Sequence, residues 1–393
     1  MAVPLTGLRV LDLTQRIPGT VATLYLADMG AEVLKIVSRS RPDALTLQPP
    51  FLPGNEISAN LAYLGRNKRS MALNLKDQRA QEIVHKLIGH YDIFIEQFRP
   101  GVMARLGLDY ETLRKVNPAL IYCSITSYGQ TGPMALRAGH DINFTARSGI
   151  MSYSGRKGEV PVPSGMFIAD SASGTANTVI GILAAVIGRN RTGQGQYVDI
   201  SMTDGMIALN TIYAASCLVD GKNPDYESTV FNGGSLYDYY ETRDGKYMSV
   251  GSLEAPFSTP FYEAIDRPDL INEGITPLDT EEVKKQIRNI FKTKTRDEWV
   301  DVFSKVDASV EPVLTVSEAL DNEQSKDREL VLDIDLPQGG SIRQLALPIK
   351  FSTYKPEYKK IGVPDGYNTE EILQELGYSK DQIAEMERTG LFD

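Results

Sequence analysis

Short apolar runs alternate with amphipathic segments along the first two hundred residues of the chain. Leu8–Leu13 and Ala31–Val37 are strand-like runs, and Thr20–Met29 between them has a helical period that ends at Gly30. Two such runs joined by a helix are typical of a βαβ unit. Strands that alternate with helices in this way form a parallel, doubly wound sheet, so we predict an α/β fold.

The alternation continues further along the chain. The predicted strands are Ser70–Leu75, Ile93–Ile95, Ile121–Ile125 and Tyr197–Ile200, and the predicted helices are Asp77–His90, residues 171–191 and Thr203–Leu218. The stretch 221–236 is rich in Gly, Asn and Ser and is typical of a linker. We therefore predict a large domain over residues 1–220.

A smaller α+β domain is predicted after the linker, so that linker and small domain together occupy residues 221–329. Asp244-Gly245 separates two strand-like runs, Ser235–Thr242 and Lys246–Gly251, and this dipeptide favours a hairpin. Amphipathic helices are predicted at Glu281–Phe291 and Arg296–Lys305. The C-terminal segment adds two helices, at Thr369–Leu376 and Ser379–Thr389.

Composition and charge exclude several classes of protein. The net charge of -10 argues against nucleic acid as the main partner, because phosphate backbones are bound by basic surfaces. Cys123 and Cys217 do not have the spacing of a metal site or a disulfide framework. We expect no signal peptide at the start of the chain, and the apolar stretch Ile180–Ile187 is too short to span a bilayer. We expect a cytoplasmic, soluble protein with no membrane partner.

The loop after the first strand is where a dinucleotide-binding motif would lie. Its sequence, Thr14-Gln15-Arg16-Ile17-Pro18-Gly19, lacks the G-x-G-x-x-G pattern that lets the backbone approach a pyrophosphate. A nicotinamide-dependent enzyme is therefore not expected.

Basic residues near strand ends indicate a different phosphate site. They are Arg39 and Arg41 after the second strand, Asn67, Lys68 and Arg69 before the third, and Arg99 after the fourth. We expect all of these loops to meet at the ligand crevice of the sheet, where arginine and lysine could hold a phosphorylated ligand. The alternative is that these are scattered, solvated surface charges.

Three residues form a candidate acid–base group. His140 is one of only three histidines and follows a Gly-rich loop, Asp170 opens a helix, and Glu254 ends a strand. Proton transfer at carbon needs such groups with pKa values near the working pH. Each residue also has a structural alternative: a hydrogen-bonded histidine, a helix N-cap and an exposed acid. The residues alone therefore indicate an α/β enzyme with an acid–base cluster.

Almost end to end, the chain resembles the class III CoA-transferase superfamily, and within it the α-methylacyl-CoA racemases. Ordered blocks over about residues 1–320 carry the resemblance: Pro4–Leu13, Asp28–Val33, Asn67–Arg69, Phe98–Val102, Arg105–Leu108, Gly129–Pro133, Ala138–Asn143, Asp170–Gly174, Gly193–Gln196 and Val250–Glu254. The resemblance implies a Rossmann-like large domain completed by residues 330–393 and an interlocked homodimer. Each active site would lie between the large domain of one chain and the small domain of the other.

The resemblance also implies the ligand and its contacts. An acyl-CoA thioester would be the substrate, with no cofactor and no metal. The CoA would lie across the loops that carry Arg39, Arg41, Asn67, Lys68, Arg69 and Arg99, and we expect the remaining contacts from Arg16, Gly101, Val102, Arg105 and Asp141.

Two reactions occur in this superfamily. In a racemase, His140 and Asp170 would exchange protons with opposite faces of the carbon next to the thioester, and Glu254 would orient His140. We expect backbone N–H groups at the start of the Asp170 helix to bind the enolate oxygen. Four methionines, Met151, Met166, Met202 and Met206, could line the acyl chain or simply pack in the core.

In a CoA-transferase, Asp170 would instead carry the acyl group and then CoA; the racemase is the favoured interpretation.

Overall fold

The predicted strands assemble into one six-stranded parallel sheet in the computed structural model, which describes residues 3–54, 57–271, 273–274, 280–336 and 339–393. The strands are β1 (Arg9–Leu13), β2 (Glu32–Val37), β3 (Lys68–Ala72), β4 (Ile93–Glu96), β5 (Ile121–Thr126) and β6 (Gln196–Ser201). Their order, β3-β2-β1-β4-β5-β6, is that of a Rossmann fold. The predicted α/β fold is therefore confirmed.

This order determines where a ligand crevice lies. The chain leaves β1 toward β2 on one side, and β4 pairs with β1 on the other. The loops that follow β1 and β4 therefore diverge, and such a switch point at the carboxyl edge of a sheet is where ligands bind. Every residue of β4 and of β5 is buried, as expected for a parallel sheet covered on both faces.

Two compact units divide the chain. The first contains Met1–Phe144, Met166–Met206 and Gln324–Asp393, and the second contains Thr145–Gly165 and Ile207–Glu323. These boundaries differ from the sequence-based ones at 220/221 and 329/330. The second unit also includes a segment, 145–165, that precedes the last strand of the large sheet.

Helices cover both faces of the large sheet in the first unit. They are α1 (Arg16–Asp28), α2 (Ala59–Leu64), α3 (Gln78–Ile88), α4 (Val102–Arg105), α5 (Tyr110–Val116) and α7 (Ala176–Thr192), together with the first residues of α6 (Asp141–Arg147) and α8 (Met202–Ala208), whose last residues belong to the second unit. The predicted helix Thr203–Leu218 is in fact two helices, because Leu209 and Asn210 separate α8 from the helix that follows. A π-helical segment, Ala169–Thr175, leads directly into α7.

The combined helix Ala169–Thr192 is longer than the apolar stretch recognised in the sequence. Its 24 residues are long and apolar enough, by length and composition alone, to cross a membrane. In the first unit it packs against α1, β5 and β6, as the core helix of a globular domain does.

A three-stranded antiparallel sheet and several helices form the described part of the second unit. The strands, in spatial order, are β7 (Asp238–Glu241), β8 (Tyr247–Val250) and β9 (Val310–Pro312). The helices are α9 (Thr211–Asp220), α10 (Ala255–Ala264), α11 (Thr280–Phe291), α12 (Arg296–Phe303) and α13 (Val316–Asp321). Trp299 and Phe291 pack together in an aromatic core with their rings tilted by 49°, and the Trp299 Nε1–H donates to the Phe291 carbonyl.

The C-terminal segment belongs to the first unit. It contains α14 (Glu323–Asp327), a hairpin of β10 (Val331–Asp335) and β11 (Ser341–Leu345), α15 (Thr369–Glu375) and α16 (Lys380–Arg388). Ile372 and Leu373 of α15 and Ile383 of α16 are buried in the same core as α3. The hairpin was not predicted from the sequence.

Candidate active site

A cavity of about 460 Å³ lies in the first unit at the carboxyl ends of β1, β4, β5 and β6. Its polar lining includes Arg16, Arg99, Thr126, Arg137, His140 and Asp170. The two predicted proton-transfer groups of the large domain are thus brought to one cavity, although thirty residues separate them in the sequence. The cavity lies at the switch point between β1 and β4.

Local packing positions His140 at the entry to α6. Its carbonyl accepts from the Asn143 N–H at 2.8 Å, and its own N–H donates to the Asn143 Oδ1 at 3.0 Å. The residue before it must be glycine, because a Cβ on Gly139 would lie 2.5 Å from the Phe144 ring and 2.8 Å from the Tyr128 hydroxyl. The His140 side chain itself is exposed at the cavity.

Asp170 is half-buried in the π-helical segment, where its backbone N–H donates to the Asp141 Oδ1 at 3.0 Å. Burial, reinforced by the nearby negative charge of Asp141, raises the pKa of Asp170 to about 6, and the positive charge of Arg16 acts against this. The carboxyl group can therefore both take up and release a proton near neutral pH.

The start of this helix differs from the sequence-based prediction in two respects. Asp170 is not the N-cap, since the helical segment already begins at Ala169. The N–H groups expected to bind an enolate oxygen are also occupied, because Asp170 donates to Asp141 and Ser171 donates to the Phe167 carbonyl at 2.9 Å. Asp141 is thus a positioning residue for Asp170.

Close packing brings Arg16 to the same cavity. Arg16 follows β1, and the Pro18 carbonyl, two residues further along, accepts a hydrogen bond of 2.9 Å from the Thr175 hydroxyl. Gly174 permits this approach, since a Cβ there would lie 2.7 Å from Pro18. The turn after β1 and the helical segment that carries Asp170 are therefore packed directly together.

Arg99 lies in the loop that follows β4. The N–H of its neighbour Phe98 donates to the Glu96 Oε2 at 2.7 Å, which holds the loop on the end of the strand. Glu96 is almost fully buried, and burial raises its pKa to about 7 even though Ser124 donates a hydrogen bond to it. The Tyr197 hydroxyl in turn donates to Ser124 at 3.0 Å.

The sheet places Asn67, Lys68 and Arg69 at the start of a strand rather than at its carboxyl end, although Lys68 and Arg69 also line the small crevice that Arg41 borders. Their predicted role in CoA binding stays a prediction. These residues precede or open β3, and in a parallel sheet the amino ends of strands lie at the edge opposite the ligand crevice. Their side chains are occupied there. Asn67 donates to the Asp28 Oδ1 at 2.9 Å, and Arg69 pairs with Glu375 at 2.6 Å.

Lys68 is buried inside the first unit, where it lines the small crevice that Arg41 borders. Its Nζ donates to the Thr20 carbonyl at 2.8 Å and to the Thr23 hydroxyl at 2.7 Å, and it lies 3.7 Å from Asp12. Burial lowers the pKa of Lys68 to about 7. Lys68 is therefore part of a buried polar cluster that supports β1 and α1.

Other predicted contacts lie near the carboxyl edge but outside the lining of this cavity. Arg39 is 3.8 Å from Glu387, and Arg41 borders a small crevice beside Asp43. Gly101, Val102 and Arg105 form the start and end of α4, just beyond Arg99. Their predicted role in CoA binding stays a prediction.

Glu254 belongs to the second unit, where it precedes the first residue of α10. Its carbonyl accepts hydrogen bonds from the N–H groups of Phe257 and Ser258, each at 2.8 Å. Glu254 is exposed. Of the four methionines proposed for an acyl wall, Met202 lines the cavity, Met206 is buried and Met166 is exposed.

Sequence reasoning missed two polar residues at strand ends. The Thr126 Oγ1 and the Gln97 Oε1 are buried, and neither has a hydrogen-bond partner in the part of the chain that the structure describes. Both residues line the cavity. A polar residue at the carboxyl end of an apolar strand was the available signal. Among the described residues, no group of three or more His, Cys, Asp or Glu could hold a metal ion.

Comparison with known proteins identifies the family. The family model described as CoA-transferase family III matches residues 5–368. The chain belongs to CoA-transferase family III. Human alpha-methylacyl-CoA racemase is 33% identical over 384 residues, which cover 97% of this chain and 96% of the human protein. Mouse succinyl-CoA:glutarate CoA-transferase is 31% identical over 401 residues, covering 99% of this chain and 90% of the mouse protein.

A solved structure supports the same assignment. The CAIB/BAIF family protein from Brucella suis has a TM-score of 0.83 and 29% identity, covering 96% of this chain and 100% of that one. Because the relatives of this family III chain include both racemases and CoA-transferases, the family shares acyl-CoA thioester substrates rather than a single reaction.

Proposed function

We propose that this family III protein is a racemase that inverts the carbon next to the thioester of 2-methylacyl-CoA substrates. The observation that supports this proposal is the presence of His140 and Asp170 in one cavity at the switch point. Inversion requires two groups that can each hold a proton, one for each face of the reacting carbon. The pKa of Asp170, raised to about 6 by burial, suits this exchange near neutral pH.

The proposed reaction moves one proton onto the protein and one off it. In one direction, the Asp170 carboxylate removes the proton from C2, the electron pair is delocalised as an enolate, and His140 returns a proton to the opposite face. In the reverse direction the two groups exchange roles. The Thr126 hydroxyl, buried and without a partner in the described chain, is the donor we assign to the enolate oxygen. No cofactor or metal takes part in these steps.

Arg99 is proposed to serve the CoA part of the substrate. It is exposed at the cavity and follows β4, so its guanidinium can form charge-assisted hydrogen bonds with a phosphate. Arg39 and Arg41, which follow β2 at the same edge, are the other cations proposed for the phosphates.

The proposal is tested by deuterium exchange. A single enantiomer of a 2-methylacyl-CoA is incubated with the protein in deuterated water, with no acceptor acid present. We expect deuterium to enter at C2 while optical activity decays. Retention of the C2 proton and of optical activity would contradict the racemase.

A CoA-transferase is the second candidate, supported by the 31% identical transferase relatives and by the position of Asp170 beside a cation, Arg16. In that reaction the Asp170 carboxylate would attack the thioester carbonyl and release CoA as a thiolate. The thiolate would then attack the Asp170 carbonyl of the resulting anhydride, which forms an aspartyl-CoA thioester and releases the donor acid as a carboxylate. Hydroxylamine or borohydride trapping on Asp170, together with movement of CoA between two acids, would favour this alternative.

We also propose that the protein acts as a homodimer in which Glu254 of one copy orients His140 of the other. Exposed apolar side chains of α9 support association with a second copy, since Leu218 and Val219 are 87% and 89% exposed. Refolding His140→Ala chains together with Glu254→Ala chains should restore activity at one site of each mixed dimer. Mixed dimers that form but remain inactive would contradict the shared site.

A further inference from the structure

The Arg16 guanidinium is unpaired in the part of the chain that the structure describes. It is exposed at the cavity, and within the described chain it makes no hydrogen bond or ion pair. Two other arginines of the first unit are paired through strong contacts: Arg66 with Asp28 at 2.5 Å and Arg189 with Asp92 at 2.7 Å. Arg16 therefore presents a positive charge, without an ion-pair partner among the described residues, to whatever occupies the cavity.

The backbone of Arg16 is held in an unfavourable conformation. Its φ of 61° lies in the left-handed region, which residues with a Cβ seldom adopt. The Asp43 Oδ2 accepts the Arg16 N–H at 2.5 Å, and the Asp43 Oδ1 accepts the Leu45 N–H at 3.0 Å. Such strain persists where surrounding structure enforces it, and it is concentrated at functional sites.

Arg16 lies at the acyl end of the proposed substrate rather than at its phosphates. Burial and Asp141 raise the pKa of Asp170, and Arg16 is close enough for its charge to lower that pKa. In the proposed reaction, Asp170 contacts the carbon next to the thioester. The long pantetheine arm separates this carbon from the CoA phosphates. Arg99 lines the same cavity but does not affect the pKa of Asp170, so we assign the phosphates to Arg99 and the acyl end to Arg16.

We propose that Arg16 recognises a carboxylate on the acyl group, so that the substrates are CoA thioesters of C2-branched dicarboxylic acids. This inference rests on the proposed function, since it takes Asp170 as a group that acts at C2. Arginine binds a carboxylate through two parallel N–H···O hydrogen bonds, which adds orientation to charge attraction. The bound carboxylate holds the acyl chain in one direction, so that C2 lies between His140 and Asp170.

A neutral acyl group leaves Arg16 without a partner. Substrate binding removes water from the cavity, and a charged group that loses water without gaining a partner raises the free energy of the complex. The protein should thus discriminate against thioesters of the same shape that lack the carboxylate. Thr126 remains available to the enolate oxygen for either type of substrate.

The test compares two substrates that differ only in charge. 2-Methylglutaryl-CoA carries a free carboxylate, and the matching thioester carries a primary amide there. With the wild-type protein, we expect kcat/KM for deuterium entry at C2 to be about 10- to 100-fold higher for the carboxylate. Arg16→Gln should abolish this preference by lowering kcat/KM for the carboxylate substrate alone, and Arg16→Lys should retain part of it.

Arg137→Gln is the matched control, because Arg137 lines the same cavity and the substitution removes the same charge. It should change kcat/KM for both substrates by the same factor. A similar loss for both substrates in Arg16→Gln, or a selective loss in Arg137→Gln, would overturn the assignment of Arg16.

Binding of unreactive thioether analogues separates this inference from the proposed reaction. If calorimetry shows an Arg16-dependent preference for the carboxylate analogue while no thioester exchanges deuterium, the racemase proposal fails and the specificity assignment stands. Exchange of both thioesters without any preference would overturn the specificity assignment and leave the racemase in place. Retained binding of the amide analogue by Arg16→Gln shows that the variant is folded.

Discussion

The Asp141 carboxylate accepts a hydrogen bond of 3.0 Å from the backbone N–H of Asp170. The two residues are distant in sequence and belong to different elements, since Asp141 opens α6 and Asp170 lies in the π-helical segment before α7. The contact fixes the position of Asp170 and places a second negative charge beside its carboxyl group. It therefore affects both the geometry and the protonation of the proposed site.

The first prediction concerns the pH dependence of activity. Burial and the charge of Asp141 raise the pKa of Asp170 to about 6, so Asp141→Asn should lower that pKa while keeping an oxygen to accept the N–H. For the enantiomer whose proton passes to Asp170, activity requires the carboxylate. The acid limb of kcat/KM for C2 exchange should therefore move to lower pH.

The control for this prediction is Asp204→Asn, which removes an exposed carboxylate that does not contribute to the pKa of Asp170. It should leave the acid limb in place. An unchanged limb in Asp141→Asn, or a move to higher pH, would show that Asp170 is not the titrating base.

The second prediction separates the roles of the two proton-transfer groups. His140→Ala and Asp170→Ala should each abolish complete racemisation, because one face of the carbon loses its acid or base. Each variant should retain slow deuterium exchange with one enantiomer only, and the enantiomer should be opposite for the two variants. Exchange with the same enantiomer in both variants would place the two groups on one face.

The third prediction concerns CoA binding at the carboxyl edge. Arg99→Ala should raise KM for the thioester more than it lowers kcat, because the phosphates are bound equally in the ground and transition states. Added salt should also weaken binding, since exposed phosphate contacts are screened.

Arg69→Ala is the comparison at the opposite edge of the sheet. Arg69 pairs with Glu375 of α15, so its loss should affect stability slightly and leave KM unchanged. A rise in KM for Arg69→Ala, with none for Arg99→Ala, would place the phosphates at the amino edge instead.

The fourth prediction concerns the pH dependence of stability. Glu96 is 3% exposed, and burial raises its pKa from 4.5 to about 7. Between these two values the folded protein binds more protons than the unfolded chain, so Glu96 lowers the free energy of unfolding as pH rises. Glu96→Gln introduces a neutral isostere that does not titrate. The free energy of unfolding of Glu96→Gln minus that of the wild type should therefore be higher at pH 8 than at pH 4, by up to about 3 kcal/mol.

Denaturant unfolding of both proteins at several pH values measures this difference. Glu385→Gln, on the exposed face of α16, provides the matched substitution and should show no comparable pH-dependent gain. A stability difference between Glu96→Gln and wild type that stays constant from pH 4 to pH 8 would mean that Glu96 keeps an ordinary pKa in the folded state.

Much of the fold and part of the site follow from local sequence. Apolar runs such as Ile93–Ile95 and Ile121–Ile125 predict buried parallel strands, because a strand covered on both faces needs apolar residues throughout. Gly139 before His140 likewise reflects a local requirement, since α6 brings Phe144 back against that position. The strand alternation and the His140 motif could therefore be recognised without a structure.

Tertiary structure alone decided which charged residues share a site. Arg99 follows β4 and Arg69 is the second residue of β3, so parallel strand direction places one at the carboxyl edge and the other near the amino edge. Lys68 has a basic side chain in a basic run, yet the close approach of α1 buries it beside Asp12. Arg16 reaches the Asp170 cavity because distant segments pack together, and such long-range packing has no signature in local sequence.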